Sequence, residues 1–183
     1  MLGLSATPTR EDGLTKVFEW HLGKPVYWEK RREADETVSV EIMRFSCDDP
    51  DYATVPTNFR GEVEYTKLLS QVVACKKRNH YIANKLKELI KEPTRRILVL
   101  SGRVSHLQEL EALLMPTGCV MGYYIGGMKA AVRDLAAEKA QILWATYSMA
   151  SEAMNIKTLN TVLLDSPRKN VEQSTGRVLR QRP

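Results

Sequence analysis

The feature that most constrains the fold is a regular alternation of short apolar runs and helical segments in the second half of the chain. Residues 96–101 form a continuous apolar run, which is typical of a strand covered on both faces. After it we expect, in turn, helix, strand, helix, strand, short helix, strand and helix, over residues 105–115, 120–125, 129–139, 141–145, 149–154, 161–165 and 171–179. This order predicts an α/β fold with a mainly parallel sheet and helices on both faces.

The first half is less regular. We predict a helix near residues 14–20, a half-buried strand over residues 38–45 and a long loop over residues 47–61. In the strand, Val38, Val40 and Ile42 would face the core. Helical periodicity follows from Glu62 until Pro93 ends it. A capping box of Ser105 and Gln108 is expected to start the helix after the first apolar run.

Composition indicates an ordinary globular domain without a membrane segment. Of 183 residues, 43% are hydrophobic and 27% charged, and no apolar stretch approaches the roughly 20 residues that cross a bilayer. The N-terminus shows no secretory signal, and residues 1–5 read like the middle of a buried strand in a longer protein. An intracellular location is expected.

Cysteines, histidines and net charge add weaker information. Three scattered cysteines make a disulfide scaffold or a zinc site unlikely by pattern, so we expect no metal. The histidines, namely His21, His80 and His106, are interpreted as surface or capping residues. The net charge of +5 favours a polyanionic partner only weakly. The basic stretch over residues 76–91 is interpreted as a solvated helix surface.

The loops that follow the predicted strands should share one edge of the sheet. In open parallel sheets, ligands bind beyond the carboxyl ends of the strands. The loops at residues 101–103, 126–127, 146–147 and 166–167 are therefore expected to lie together.

The C-terminal segment carries a pattern suited to phosphate. Gln173, Arg177 and Arg180 fall on one helix face, and Gly176 allows another backbone to approach. Two arginines on one face form a fork for phosphate oxygens. A solvated basic helix end is the alternative.

Two other segments place small polar groups at strand ends. Thr146 closes an apolar run and could hold a phosphodiester with nearby backbone N–H groups, with Asn155 shortly after it. Ordinary capping is the alternative. Ser5 and Thr7 lie at an N-terminal strand end, where a plain turn is the alternative.

Taken together, these segments resemble a known family. Ser-Ala-Thr, then a strand with a Ser-Gly-Arg turn, then Ala-Thr with Glu-Ala-x-Asn-Ile, then Gln-x-x-Gly-Arg-x-x-Arg resemble motifs III to VI of superfamily 2 helicases, over residues 2–180. The opening residues 2–13 look like the branch of the XPB and UvsW helicases and those of large DNA viruses. The resemblance implies a RecA-like three-layer domain, with residues 1–30 as motif III and inter-lobe connection and residues 31–183 as the second lobe.

The resemblance also implies roles for individual residues. Arg177 and Arg180 would be arginine fingers reaching ATP held with Mg²⁺ by the N-terminal lobe, oriented by Gln173, with Asn155 and Gly176 beside the nucleotide. The nucleic-acid backbone, DNA or RNA, would lie against Ser101, Gly102, Arg103, Gly126, Gly127 and Thr146. Ser5 and Thr7 would couple nucleotide state to lobe movement. Ala153 and Asn155 stand where the family usually has Gly and Asp.

The sequence contains no G-x-x-x-x-G-K-[ST], so this part alone is expected not to hydrolyse ATP. Two other interpretations remain open, namely a nucleic-acid-binding module without motor function and a protein-docking lobe. A parent protein of viral origin fits the branch.

Overall fold

The computed structural model describes residues 13–27, 38–152, 156–168 and 171. The chain divides into two compact units, residues 1–39 and 40–183. In the first unit, helix α1 spans Thr15–Leu22, as its sequence predicted. It ends at Gly23, whose positive φ of 84° suits a residue without a side chain.

The second unit is built on a four-stranded parallel sheet. The strands are β1 (Ile97–Ser101), β2 (Met121–Tyr124), β3 (Ile142–Thr146) and β4 (Thr161–Leu164). Their order is β2-β3-β1-β4, and β1 pairs with both β3 and β4, with Ile97 opposite Ile142 and Thr161. The parallel sheet predicted from the alternation is confirmed.

Within its described residues, the second unit contains six helices. They are α2 (Pro50–Ala53), α3 (Tyr65–Ala74), α4 (Lys76–Leu89), α5 (Val104–Leu114), α6 (Ala130–Lys139) and α7 (Tyr147–Glu152), with a 3₁₀ turn at Met115–Thr117. None of the helices in the described ranges is both long and apolar enough to span a bilayer. The last predicted helix, over residues 171–179, lies outside the described residues except for residue 171.

Each face of the sheet has its own apolar core, because successive strand side chains point to opposite faces. On one face, Leu98 and Leu100 pack with residues of α6 and α7 such as Ala137 and Ala150. On the other, Ile97 and Val99 of β1 and Trp144 of β3 pack with α4 and α5 through Leu86, Leu107 and Leu110. Tyr123 and Tyr124 belong to opposite cores, and Trp144 is fully buried. The helices on both faces confirm the predicted three-layer architecture.

A glycine in β2 sets the distance between that strand and α6. A Cβ on Gly122 would lie 2.9 Å from the Cβ of Ala136 and 3.4 Å from its Cα. Because two of these neighbours are held by the helix backbone, no larger residue fits without moving α6. This close approach holds the C-terminal half of α6 against β2.

The prediction of a strand over residues 38–45 is wrong, because none of these residues belongs to a strand. Residues 38–47 form no β-ladder with any other part of the chain that the structure describes. Met43 and Phe45 turn inward, Phe45 packing against Tyr52 and Tyr81, whereas Val40 and Ile42 are 81% and 83% exposed. The period of two is present in the opposite phase, because packing of Met43 and Phe45 on α4 outweighs burial of the β-branched residues.

Two other local predictions need correction. The predicted loop at residues 47–61 contains α2, capped by Asp49. The capping box at Ser105 is wrong, because α5 already begins at Val104 and its N-cap residue, Arg103, makes no side-chain cap. The Ser101 hydroxyl accepts from the backbone N–H of Arg103 instead, at 3.3 Å.

Candidate functional site at the carboxyl edge of the sheet

The loops after the parallel strands meet at one edge, as predicted. The backbone N–H of Gly102, after β1, donates to Ser166 Oγ, after β4, at 2.8 Å. The Tyr147 hydroxyl, after β3, donates to the Ser166 carbonyl at 2.7 Å. These bonds join the ends of three strands, and the loop at residues 125–129 follows the fourth.

The exposed part of this edge, which we call the rim, offers backbone N–H groups and positive charge. It consists of Gly102, Arg103, Gly126, Gly127, Lys129 and Thr146. Two helices start here, α5 after Arg103 and α6 after Lys129, and neither start has a side-chain cap. The first N–H groups of a helix have no partner within the helix, and its N-terminus carries partial positive charge. The rim can therefore hold anionic oxygens such as phosphates.

Two predicted contact residues are occupied by local bonds. The Ser101 side chain is fully buried and lies 3.2 Å from His106 Nδ1, so it is not accessible to a ligand in this conformation. The hydroxyl of Thr146 is partly exposed and lies 3.2 Å from that of Ser148. Thr146 thus forms a local side-chain contact and remains partly exposed.

Directly beneath the rim lies a buried polar cluster of Asn79, Ser101, His106 and Asp165, each no more than 2% exposed. His106 Nε2 lies 2.8 Å from Asn79 Oδ1. Its Nδ1 lies 3.2 Å from Ser101 Oγ and 3.1 Å from Asp165 Oδ1. The expectation that His106 is a surface or capping residue is wrong, because the start of α5 turns it into the space between α4 and the sheet.

The Asp165 carboxylate is the least satisfied member of this buried cluster. Neither of its oxygens has a hydrogen-bond partner within the described residues, although His106 Nδ1 lies 3.1 Å from Oδ1. A buried polar group without a hydrogen-bond partner is costly, so the position of the His106 ring matters for Asp165. The main-chain carbonyl of Asp165 accepts a hydrogen bond from Arg78 Nη2. The basic stretch over residues 76–91 was predicted to be a solvated helix surface, and this does not hold for Arg78.

The buried cluster lacks the geometry of a hydrolytic triad. In such a triad the nucleophile and the carboxylate contact opposite nitrogens of the imidazole. Here Ser101 and Asp165 both face Nδ1, and the Ser101 hydroxyl is fully buried. The cluster is therefore positional, and it connects α4, α5, β1 and β4.

Comparison with known proteins gives a consistent family. No family model matches the chain. It is 34% identical to an Acanthamoeba polyphaga mimivirus protein named as an ATP-dependent RNA helicase, over 99% of this chain and 35% of that protein. It is 29% identical to a protein named as a helicase in Sulfolobus islandicus filamentous virus, over 98% of this chain and 35% of that one.

Solved structures agree. The structure of T4 UvsW matches with a TM-score of 0.53 and 27% identity, over 64% of this chain and 25% of UvsW. The C-terminal part of the Fun30 ATPase domain matches with a TM-score of 0.50 and 18% identity, over 56% and 36%, and shows the fold. These relatives and solved structures support a helicase C-terminal RecA-like lobe. This chain spans about a third of the length of the curated relatives it matches.

Seven of the residues predicted for the functional site lie outside the described residues. These residues are Ser5, Thr7, Asn155, Gln173, Gly176, Arg177 and Arg180. Their roles stay predictions. Ser166, Pro167 and Arg168 lead directly toward the last four of them.

The buried cluster of this lobe was missed by the sequence reasoning, although a signal was present. His106 lies four residues before Leu110 on the buried stripe of α5, and Asn79 lies three residues before Ile82 on that of α4. A polar residue on a predicted apolar stripe needs a buried partner. Following that rule would have pointed to a hydrogen bond between the two helices.

Proposed function

We propose that this chain is the second lobe of an ATP-dependent superfamily 2 helicase or translocase, which grips a nucleic-acid backbone and supplies arginine fingers to ATP. The observation that carries the proposal is the rim, where uncapped helix starts, glycines and Arg103 gather at one edge of a parallel sheet. The order of the sequence motifs and the helicase relatives support it.

On the nucleic-acid side, the rim would contact phosphates and sugars. Backbone N–H groups and helix starts bind phosphates without reading bases, so this mode suits a motor that moves along any sequence. Gly102 is exposed next to Arg103, and the positive φ of Gly127 (81°) shapes the loop before α6. Thr146 would add a hydroxyl contact. The bound nucleic-acid strand can be DNA or RNA. A difference in affinity that depends on the 2′-hydroxyl of RNA would distinguish the two.

On the nucleotide side, Arg177 and Arg180 would reach the γ-phosphate, with Gln173 orienting them and Asn155 and Gly176 beside the nucleotide. Such arginines stabilise the charge that spreads over the transferred phosphoryl group. ATP and Mg²⁺ would be held mainly by a first RecA-like lobe of the same protein, and Mg²⁺ would neutralise phosphate charge. The described residues contain no cluster of three or more His, Cys, Asp or Glu that could hold a metal.

In the working cycle, both lobes would hold the strand while they close around ATP and open after hydrolysis. Ser5 and Thr7 would transmit the nucleotide state between lobes. This chain alone would then have no ATPase activity. The viral relatives favour a viral parent protein that acts inside the infected cell.

The test is ATP hydrolysis by the full-length protein that contains this lobe, with and without single-stranded nucleic acid. We expect hydrolysis that rises with nucleic acid and falls roughly 10³-fold or more in Arg177→Ala or Arg180→Ala. Arg60→Ala is the matched control, because Arg60 is an exposed arginine stacked on Phe59 in a loop after α2.

Three results would count against the motor. A parent protein that binds nucleic acid but hydrolyses no ATP would support the binding-module alternative. Arginine variants that match the parent would show that these residues are not fingers. Loss of both binding and hydrolysis in the parent would favour a docking lobe.

A further inference from the structure

We infer that His106 is a positioning residue that couples the nucleic-acid rim to the segment leading to the arginine fingers. The inference rests on the proposed function. It concerns a residue that contacts neither strand nor nucleotide, since His106 is 1% exposed beneath the rim.

The imidazole is fixed on its Nε2 side by α4. Asn79 Nδ2 donates to the Val73 carbonyl at 2.8 Å, so the Oδ1 of the same amide is left to accept. His106 Nε2 lies 2.8 Å from that oxygen and therefore carries a hydrogen that it donates. This bond sets the plane of the ring and leaves Nδ1 facing the sheet edge.

On its Nδ1 side the imidazole contacts two strand ends at once. Ser101 Oγ, 3.2 Å away, belongs to β1 and also accepts from the Arg103 N–H in the rim. Asp165 Oδ1, 3.1 Å away, follows β4. A shift of the Gly102–Arg103 turn would therefore move Ser101, and with it the His106 ring and Asp165.

The segment after β4, residues 165–167, is also held to its surroundings by hydrogen bonds that do not involve His106. The Asp165 N–H donates to the Leu100 carbonyl at 3.0 Å, and its carbonyl accepts from Arg78. Ser166 bonds to Gly102 and Tyr147, and the Pro167 carbonyl accepts from the Tyr65 hydroxyl. Residues 165–167 thus form a short, well-anchored base from which the chain continues toward Arg177 and Arg180.

Two of the routes between the rim and this base pass through the Ser101–Arg103 turn. One is the direct bond from Gly102 to Ser166, and the other runs through Ser101, His106 and Asp165. In the proposed cycle, nucleic acid on Gly102 and Arg103 would fix the turn, and the turn would fix the base of the finger segment. Nucleic-acid binding would thereby raise the rate of ATP hydrolysis.

Two conservative variants separate the two sides of the ring. In His106→Asn, the amide can take the place of Nδ1 and keep the contacts to Ser101 and Asp165, while the bond to Asn79 is lost. In His106→Gln, the longer amide can take the place of Nε2 and keep the bond to Asn79, while the contacts to the strand ends are lost. Leu110→Val, a core change on the same helix, controls for lost stability.

The measurement is kcat for ATP in the full-length protein, with and without saturating single-stranded nucleic acid, beside the melting temperature of each variant. We expect His106→Gln to lower the ratio of the two rates on the order of tenfold, and His106→Asn to stay within about twofold of the parent. We expect Leu110→Val to lower the melting temperature and leave the ratio unchanged. By linkage, an ATP analogue should alter the nucleic-acid Kd less in His106→Gln than in the parent.

Each contrary result has one meaning. If the parent is stimulated but Gln and Asn variants give equal ratios, the coupling role of His106 is refuted while the motor stands. If Leu110→Val lowers the ratio as much as His106→Gln, the residue acts only through stability and the inference falls. If the parent itself shows no stimulation, the proposed function fails, and the inference with it.

Discussion

The two edges of the same sheet use their polar groups in opposite ways. At the amino edge, polar side chains and backbone satisfy one another. Arg96 Nη1 donates to the carbonyls of Lys139 and Ala140 at 3.0 and 2.7 Å, and Arg95 pairs with Glu92 at 2.6 Å. Gln141 donates to two further carbonyls at the end of α4.

At the carboxyl edge, the satisfied groups lie underneath and the rim stays open. The Arg103 guanidinium has no hydrogen-bond or ion-pair partner among the described residues, and α5 and α6 start without side-chain caps. Cations at the amino edge therefore contribute to stability, whereas those at the carboxyl edge are available to a ligand. In open parallel sheets, ligands bind beyond the carboxyl ends of the strands, which is this second edge.

The largest expected effect is on the free energy of unfolding, when a hydrogen bond at the amino edge is removed. Arg96→Ala leaves the Lys139 and Ala140 carbonyls without their donor, so we expect unfolding to become easier by about 2 kcal/mol. Denaturant unfolding measures it. Arg44→Ala, at an exposed position, is the control. An equal loss in both variants would contradict a structural role for Arg96.

The next effect is on nucleic-acid affinity at the carboxyl edge. Arg103→Ala removes a charged donor from the rim, and we expect Kd for a single strand to rise about tenfold. The slope of log Kd against log salt should fall by about one phosphate contact. Arg95→Ala removes the same charge at the amino edge and should leave Kd unchanged. Equal effects would show that only net charge matters.

The remaining effect is a titration beneath the rim. Burial raises the pKa of Tyr147 to about 12, although the bond to Ser166 works in the other direction. The folded protein holds this proton longer than the unfolded chain, whose tyrosines titrate near pH 10. The contribution of Tyr147 to stability is therefore complete below about pH 10 and is lost as the pH rises toward about 12.

Unfolding at rising pH, compared between the parent and Tyr147→Phe, checks this prediction. The difference in stability between the two proteins should shrink between about pH 10 and 12. A constant difference across that range would mean that the phenol is not the titrating group.

The sheet and its edge could be predicted from sequence because their signals are local. Residues 97–100 are apolar without interruption, and a parallel sheet follows from alternation with helices. Parallel strands then bring their carboxyl ends together whatever their order, so Gly102 and Ser166 could be placed at one edge. The order β2-β3-β1-β4 depends on which faces pack, and no local pattern determines it.

The errors arose where distant packing decides. Residues 38–47 keep a period of two, but only the position of α4 determines that Met43 and Phe45 turn inward. The apolar stripe of α5 includes His106, so its burial could be read from the sequence. Its contact with Asp165 could not, because the two residues are far apart in the chain and only tertiary packing brings them together.

The central claim is that nucleic acid lies on the carboxyl edge and not on the amino edge. Hydrogen–deuterium exchange of the full-length protein, with and without saturating single-stranded nucleic acid, tests it most directly. We predict slower exchange at residues 101–105 and 126–131 and no change at residues 94–96 and 139–141. Protection confined to the amino edge, or equal at both edges, would contradict the account.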